Sequence, residues 1–578
     1  MHIGDKKVSL NKEISVLEVV SAVLISVFLI NQGLSLIWFW FNRQIDGLYL
    51  AVLGVFIFGV LLWIFRSNIK MVLVKKSDVF SILLVLVMGL SFVSVLWNYN
   101  HSFRFPVITT GVDVMAHFNM FIKMVETGKL NYGSGVFDNF KPWSGWSEYP
   151  SGFYSNAGVV YLTLIKPWLS SVDSVVITSF FSLFTIAIFC WFGYWLSVLV
   201  MSVVENRNKW RIVHWLLLLT IVFYFFENTF YNLFDYGFMA QLTGLIILMV
   251  MTSVVLKKQE TDNSFVYWLK LLILNFGIAN SWYFLIPLSG LVLLRECIKN
   301  KLYVKWWFYI TSAIVGGLSI YPVWMSMRNF DVVKEINAGG GVVGVKGAEI
   351  LVMVLICLIL KSGKRMVSKK LADIDFFLGV AAIYPIILGV YGLMSKGSVA
   401  YYYNKSLYTV VIYLLILTVY LVFKRIDQGK ILVRNNVYLI LLAGVILGVS
   451  IFTKVGERNS LFGERKVFMD REVYNAIMVA KESGLDNQYY FVPFGRFIDL
   501  ISFYTYFGYL PDFYSKRYPN VDFKQYPWIF EEIKTINSDK PIMIFDAFTV
   551  KSTFGDNQKE YLINAKIKSY PEEVNIRN

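Results

Sequence analysis

The stretch Gly111-Val112-Asp113-Val114-Met115-Ala116-His117 lies early in a loop that begins at Asn98 and closes on Glu148-Tyr149-Pro150-Ser151-Gly152-Phe153. Strongly apolar segments flank this loop, yet it holds an acid, a histidine and the tryptophans Trp143 and Trp146. Val114, Phe118, Phe121, Ile122 and Val125 recur at helical spacing, and Gly128 follows. That spacing predicts an amphipathic helix starting near Asp113 and stopping at Gly128, of the kind that can lie flat at a membrane surface. The loop is expected to form half of a functional site there, with most other segments holding it in place.

Composition sets the class. Of the 578 residues, 57% are hydrophobic and the mean hydropathy is +0.57, above the apolar share usual in soluble domains. The apolar residues come in long uncharged runs, the mark of membrane spans. The net charge of +15 does not point to nucleic acid, because Lys and Arg cluster in alternate short connections between apolar runs, the pattern that encodes topology. Cys190, Cys297 and Cys357 all fall in or beside apolar runs, which argues against a disulfide framework or a cysteine-based zinc site. The first apolar run is too long for a signal-peptide core and lacks a small-residue cleavage site, so it is expected to remain as a span.

Outward from the loop, the pattern predicts an α-helical membrane protein of about 13 transmembrane helices. Spans one to three are read at 14–41, 48–65 and 79–97, and the loop of 98–152 emerges after the third. The apolar segment 151–166 is short for a crossing and is read as a juxtamembrane or re-entrant helix, tolerated where protein or a wet cavity satisfies its backbone. Further spans are read at 174–201, 212–226, 236–256 and 265–279, the last with Lys270 inside it, followed by an eighth ending at Arg295. The remaining five are read at 306–324, 349–360, 376–394, 406–423 and 437–452. Basic connections then fall on one side throughout, which predicts a multi-pass protein of the cell membrane with its N-terminus cytoplasmic. From Lys454 charges return and apolar runs shorten. Residues 454–578 are read as a small extracytoplasmic α/β domain, with strands at 489–492 and 542–545 and helices at 470–483, 527–536 and 558–564. The expected organisation is thus 1–78, a tail and two helices; 79–453, the membrane core; and 454–578, the C-terminal domain.

Several residues carry chemistry in this frame. Asp113 is either an N-cap for its helix or a general base aimed at an acceptor hydroxyl, and both roles are compatible. His117 lies one turn later on the same face. It can orient Asp113, bind a phosphate, join a metal site, or simply be a polar residue of the interface. Glu227 and Asp235 are placed in the next outer loop, 227–237. They either mark the water boundary or present a second carboxylate that orients an acceptor or holds a divalent cation. No cofactor is otherwise indicated. An anionic ligand at this face would need positive charge, for which Arg328, Lys396 and Lys405 are the candidates, with Arg104 weaker. Of these, Lys405 closes the run Tyr401-Tyr402-Tyr403-Asn404-Lys405, where Tyr403 and its neighbours can anchor at headgroup level or hydrogen-bond a phosphate. An aromatic belt with a snorkelling lysine gives the same residues. The loop aromatics Trp143, Trp146, Tyr149 and Phe153 can form a sugar-stacking or lipid-edge surface.

The combination resembles the GT-C fold of integral membrane glycosyltransferases, the class that includes protein O-mannosyltransferases, aminoarabinose transferases and mycobacterial arabinosyltransferases. The resemblance is carried by Asp113 on its amphipathic helix, Glu126-Thr127-Gly128, Tyr149-Pro150-Ser151-Gly152, a short juxtamembrane helix and a long span ending in basic residues. It covers about 79–452. It implies a catalytic aspartate at Asp113, a second acid at Glu227 or Asp235, a polyprenyl-phosphate sugar donor and inverting transfer to a glycan, lipid or protein acceptor. Two features depart from the pattern: two extra spans come first, and Val114 stands where some members pair a second acid with the aspartate. The main rival is a transporter or flippase of lipid-linked saccharide, which favours internal repeats and charges near the bilayer midplane. An enzymatic neighbour is a polysaccharide polymerase or ligase, and a non-catalytic scaffold is a third class.

Overall fold

The computed structural model describes residues 13–66, 70–97, 112–130, 150–168, 174–204, 212–259, 262–327, 345, 347–361, 368–395 and 400–427, and the strand residues 490–494, 542–546, 567–570 and 573–574. The chain is predominantly helical. Seven helices among the described residues are long and apolar enough to cross a membrane: Val16–Trp40, Phe180–Val203, His214–Phe234, Met239–Leu256, Trp306–Met325, Lys369–Met394 and Tyr401–Ile426. Gly47–Leu62 and Asp78–Gly89 are shorter apolar stretches. The chain is therefore a membrane-associated helical protein.

Strand β1 (Glu13–Ser15) leads into α1 (Val16–Trp40), whose N-terminus is closed by a reciprocal cap between Ser15 and Glu18. A short turn joins α1 to α2 (Gly47–Arg66), and β2 (Lys70–Val72) returns to pair with β1 in parallel before α3 (Lys76–Trp97). The sequence reading did not anticipate this pair. An ion pair from Lys75 to Glu18 reinforces it.

The loop helix is present as α4 (Val112–Thr127), and Gly128 ends it at φ +66°, a conformation glycine adopts without steric cost. Next comes α5 (Gly152–Val160), continued by a π turn (Tyr161–Ile165) and a 3₁₀ turn (Lys166–Trp168). Residues Gly152 to Val159 are all buried. The first half of the short apolar segment is thus enclosed by protein, the environment in which such a piece keeps its backbone satisfied, whereas Leu164 and Trp168 beyond it are exposed.

Next along the chain, α6 (Ser174–Val203) packs on both α3 and α9 (Met239–Leu256). The segment expected as a loop at 227–237 is instead mostly helical. It begins as α7 (Ile212–Phe225), passes through a π turn (Phe226–Phe230) and ends as α8 (Tyr231–Asp235). Phe226, Phe230, Tyr231, Leu233 and Phe234 are all buried, so apolar packing carries the helix past the point where polar residues suggested it would stop.

Helix α10 (Ser264–Ser281) turns through Tyr283–Leu285 into α11 (Ile286–Lys299). After α12 (Trp306–Met327) come α13 (Gly347–Lys361), α14 (Lys369–Ser395) and α15 (Ala400–Asp427). Helices α9 and α15 are almost wholly enclosed, whereas α12 and α14 expose long apolar faces. The core is therefore built on α6, α9, α10 and α15, with α12 and α14 at the periphery. Two strands of the C-terminal part, β3 (Tyr490–Phe494) and β4 (Ile542–Asp546), pair in parallel close to the positions expected from sequence. To them β5 (Ile567–Tyr570) and β6 (Glu573–Val574) add antiparallel. The helices read at 470–483, 527–536 and 558–564, and span 437–452, lie outside the described residues.

Candidate functional site

Helix α4 presents Phe118, Phe121, Met124 and Val125 to the interior. Phe118 and Phe121 meet Phe181 of α6 at ring-centroid distances of 5.1 and 5.0 Å. On the same helix His117 is buried, with its ring edge-on to Phe153 of α5 at 5.4 Å. Burial removes the solvent that would stabilise imidazolium, and the nearby charge of Lys405 acts in the same direction. Together they push the His117 pKa down to about 3. His117 is therefore a neutral imidazole at physiological pH.

That coupling brings together two residues 288 positions apart. Lys405 sits in the second turn of α15, and the residue is 2% exposed. Its ammonium lies 3.8 Å from the ring centroid of Phe238 and 4.1 Å from that of Tyr401, and it donates a hydrogen bond to the Tyr401 hydroxyl. Aromatic faces of this kind stabilise a desolvated cation. Gln241 Nε2 donates to the Lys405 carbonyl oxygen at 2.8 Å, while Gln241 Oε1 is buried without a hydrogen-bond partner.

The three tyrosines of 401–403 take separate directions, as successive residues of a helix must. Tyr401 holds the Lys405 ammonium, Tyr402 stacks on Phe284 at 4.4 Å, and Tyr403 packs against Gly389 of α14. The structure thus joins Lys405 to Tyr401 and not to Tyr403.

Helix α1 is tied to α5 and to α10 by buried polar contacts. Asn31 Nδ2 donates to Asn156 Oδ1 at 2.9 Å, and the Tyr49 hydroxyl reaches Asn31. Asn156 Nδ2 in turn donates to the Gly152 carbonyl oxygen at 2.7 Å, and Gln32 Nε2 donates to Ser281 Oγ at 3.1 Å. These residues escaped the sequence reading because α1 was set apart with the N-terminal helices. Two adjacent amides, Asn31 and Gln32, inside an apolar run were the available signal.

Asp113 lies one residue inside α4, in its first turn, rather than at the cap. A carboxylate there is still favoured by the helix dipole. Glu227 falls in the π turn and Asp235 ends α8; the side chains of these three acids, and all of Arg328, Lys396 and Arg104, lie outside the described residues. Among the described residues no group of three or more His, Cys, Asp or Glu is gathered closely enough to hold a metal ion. No family model, curated protein or solved structure matches the chain.

Proposed function

We propose that the chain is a GT-C-like membrane glycosyltransferase that moves a sugar from a polyprenyl-phosphate donor to an acceptor outside the cytoplasm. In this reading about 13 helices cross the cell membrane, the N-terminus is cytoplasmic, and 454–578 forms an extracytoplasmic α/β domain beside the site.

One observation supports it above the others. Helix α4, with Asp113 in its first turn, is fixed against α5 and α6, and its His117 lies within the field of the buried Lys405. Transfer from a lipid phosphate requires an acid and a desolvated cation in one region, roles that this reading gives to Asp113 and Lys405. Asp113 takes the proton of an acceptor hydroxyl as its oxygen attacks the anomeric carbon. The bond from that carbon to the phosphate oxygen breaks with inversion, and Lys405, with Arg328, stabilises the departing charge. Neutral His117 helps to place Asp113 one turn away, while Glu227 or Asp235 orients the acceptor. A lipid-phosphate donor needs no nucleotide site, in line with the lack of a glycine-rich phosphate loop in the sequence.

The test is transfer of label from polyprenyl-phosphate sugars by purified protein. Asp113→Asn is expected to lose about 10²–10⁴-fold in rate, the usual contribution of a general base. Equal rates in wild type and variant would remove Asp113 from the chemistry.

A second reading draws on the buried amides and on π turns that interrupt helical segments beside α5 and α7, since transporters place broken helices at their sites. A flippase of lipid-linked saccharide would move substrate across vesicles without cleaving it, and Asp113→Asn would leave that movement intact.

A further inference from the structure

At the far end of α15 from Lys405, Arg425 and Lys424 stand beside Lys361 at the end of α13, where α14 also begins with Lys369 and Lys370. Several other cations in the described structure meet acids: Lys75 pairs with Glu18, and Arg295 and Lys299 pair with Asp373. Arg425 does not. It is 9% exposed, and its guanidinium donates to the Leu360 carbonyl oxygen, from Nε at 3.0 Å, with no carboxylate within ion-pair reach among the described residues. Next to it Lys424 donates to the Tyr420 hydroxyl at 2.6 Å, and that hydroxyl lies 2.7 Å from Ser368 Oγ. Lys361, which follows Leu360, pairs with Asp375 at 2.6 Å. Of Arg425, Lys424 and Lys361, only Lys361 has a carboxylate within ion-pair reach among the described residues; the Asp427 side chain lies outside the described residues.

Withdrawing a guanidinium from water is unfavourable unless an anion meets it. A single carbonyl uses only part of the five-donor fork, whose geometry suits phosphate. The position is also telling. Ile426 ends a helix long and apolar enough to cross a membrane, and a span there would set this cluster at the membrane–water boundary. Just before it, Leu355, Leu358 and Ile359 of α13 are exposed apolar side chains against which acyl chains can lie.

We infer that this end of α13–α15 binds the headgroup phosphate of an anionic phospholipid. Arg425 and Lys424 are the principal contacts, Lys361 is shared with Asp375, and the acyl chains run along α13. The site is independent of the proposed transfer chemistry and of which side of the membrane it faces.

Native mass spectrometry of the full chain in detergent tests this, with phosphatidylglycerol, phosphatidylcholine and inorganic phosphate as probes. Phosphatidylglycerol is expected to stay bound where phosphatidylcholine does not. Each removed charge should weaken it about fivefold, in line with the usual contribution of one basic residue at an anionic surface. Arg425→Gln disturbs the Leu360 contact as well as the charge, so Lys424→Gln, which leaves that contact in place, is the cleaner variant. Equal retention of the two lipids, or unchanged retention in Lys424→Gln, would overturn the proposal. So would full displacement of phosphatidylglycerol by millimolar inorganic phosphate, which would assign the site to a soluble anion.

Discussion

Gly152 occupies a place with no room for a side chain. A Cβ there would lie 2.6 Å from Gln32 Nε2, 2.6 Å from Ser281 Oγ and 2.9 Å from the Asn280 carbonyl oxygen. One of those three is backbone and cannot swing aside. Gly152→Ala is therefore expected to destabilise the protein by about 1–3 kcal/mol, the range for overpacking. Gly290, inside α11, has nothing within 4 Å of the same added atom. Gly290→Ala is expected to gain up to ~1 kcal/mol from helix propensity. Thermal unfolding of both variants in detergent checks the contrast; equal effects would mean that crowding at Gly152 is unimportant. His117 supplies a second residue-scale test. Its folded pKa of about 3 lies below the roughly 6.5 of an unfolded histidine. Between those values the unfolded chain binds the extra proton, so stability falls with falling pH. The contribution is whole above about pH 6.5 and is lost progressively toward pH 3. A melting-temperature profile over that window should be flatter in His117→Asn than in wild type, and parallel profiles would refute the assignment.

Among elements, α4 was legible from sequence because its apolar stripe and terminal glycine are local signals. The continuation of α7 into α8 was not. Glu227, Asn228 and Asp235 read as a water boundary, but burial of Phe226, Phe230, Tyr231 and Phe234 outweighs them. Lys405 was legible as a cation beside a span, whereas its ring partner Phe238 comes from the residue before α9 and no spacing reveals that. The amides of α1 were missed for the same reason, since their partners Asn156 and Ser281 are 125 and 249 residues away. They allow an element-scale prediction. Asn31→Leu leaves Asn156 and Tyr49 buried with a lost partner, which costs about 1–3 kcal/mol. Pairing it with Asn156→Leu should cost less than the sum of the single changes, because the two share one bond. Strict additivity in unfolding measurements would show that the α1–α5 contact contributes little.

For the whole molecule, the distribution of charge orders the ends of the helices. Asn42, just past α1, accepts a hydrogen bond from Lys129 just past α4, at 2.9 Å, and the Ile45 N–H donates to the Gly128 carbonyl oxygen at 2.7 Å. The end of α4 is thereby held at the C-terminal end of α1, on the side opposite Ser15. Likewise Gln32, in the later half of α1, meets Ser281 where α10 ends, so the other end of α11, at Lys299, lies on the side of α1 that Ser15 begins. The proposed cytoplasmic N-terminus requires Lys129 to face out and Lys301 to face in. Single cysteines at these two positions, in a chain whose Cys190, Cys297 and Cys357 are replaced, make this measurable with a membrane-impermeant thiol reagent. Lys129→Cys is expected to label in intact cells, and Lys301→Cys only after permeabilisation. The reverse pattern would put α4 and Lys405 in the cytoplasm and remove the proposed extracytoplasmic acceptor. Labelling of both from one side would contradict the packing of α1 itself, because a helix that crosses the membrane cannot hold both of its ends on the same face.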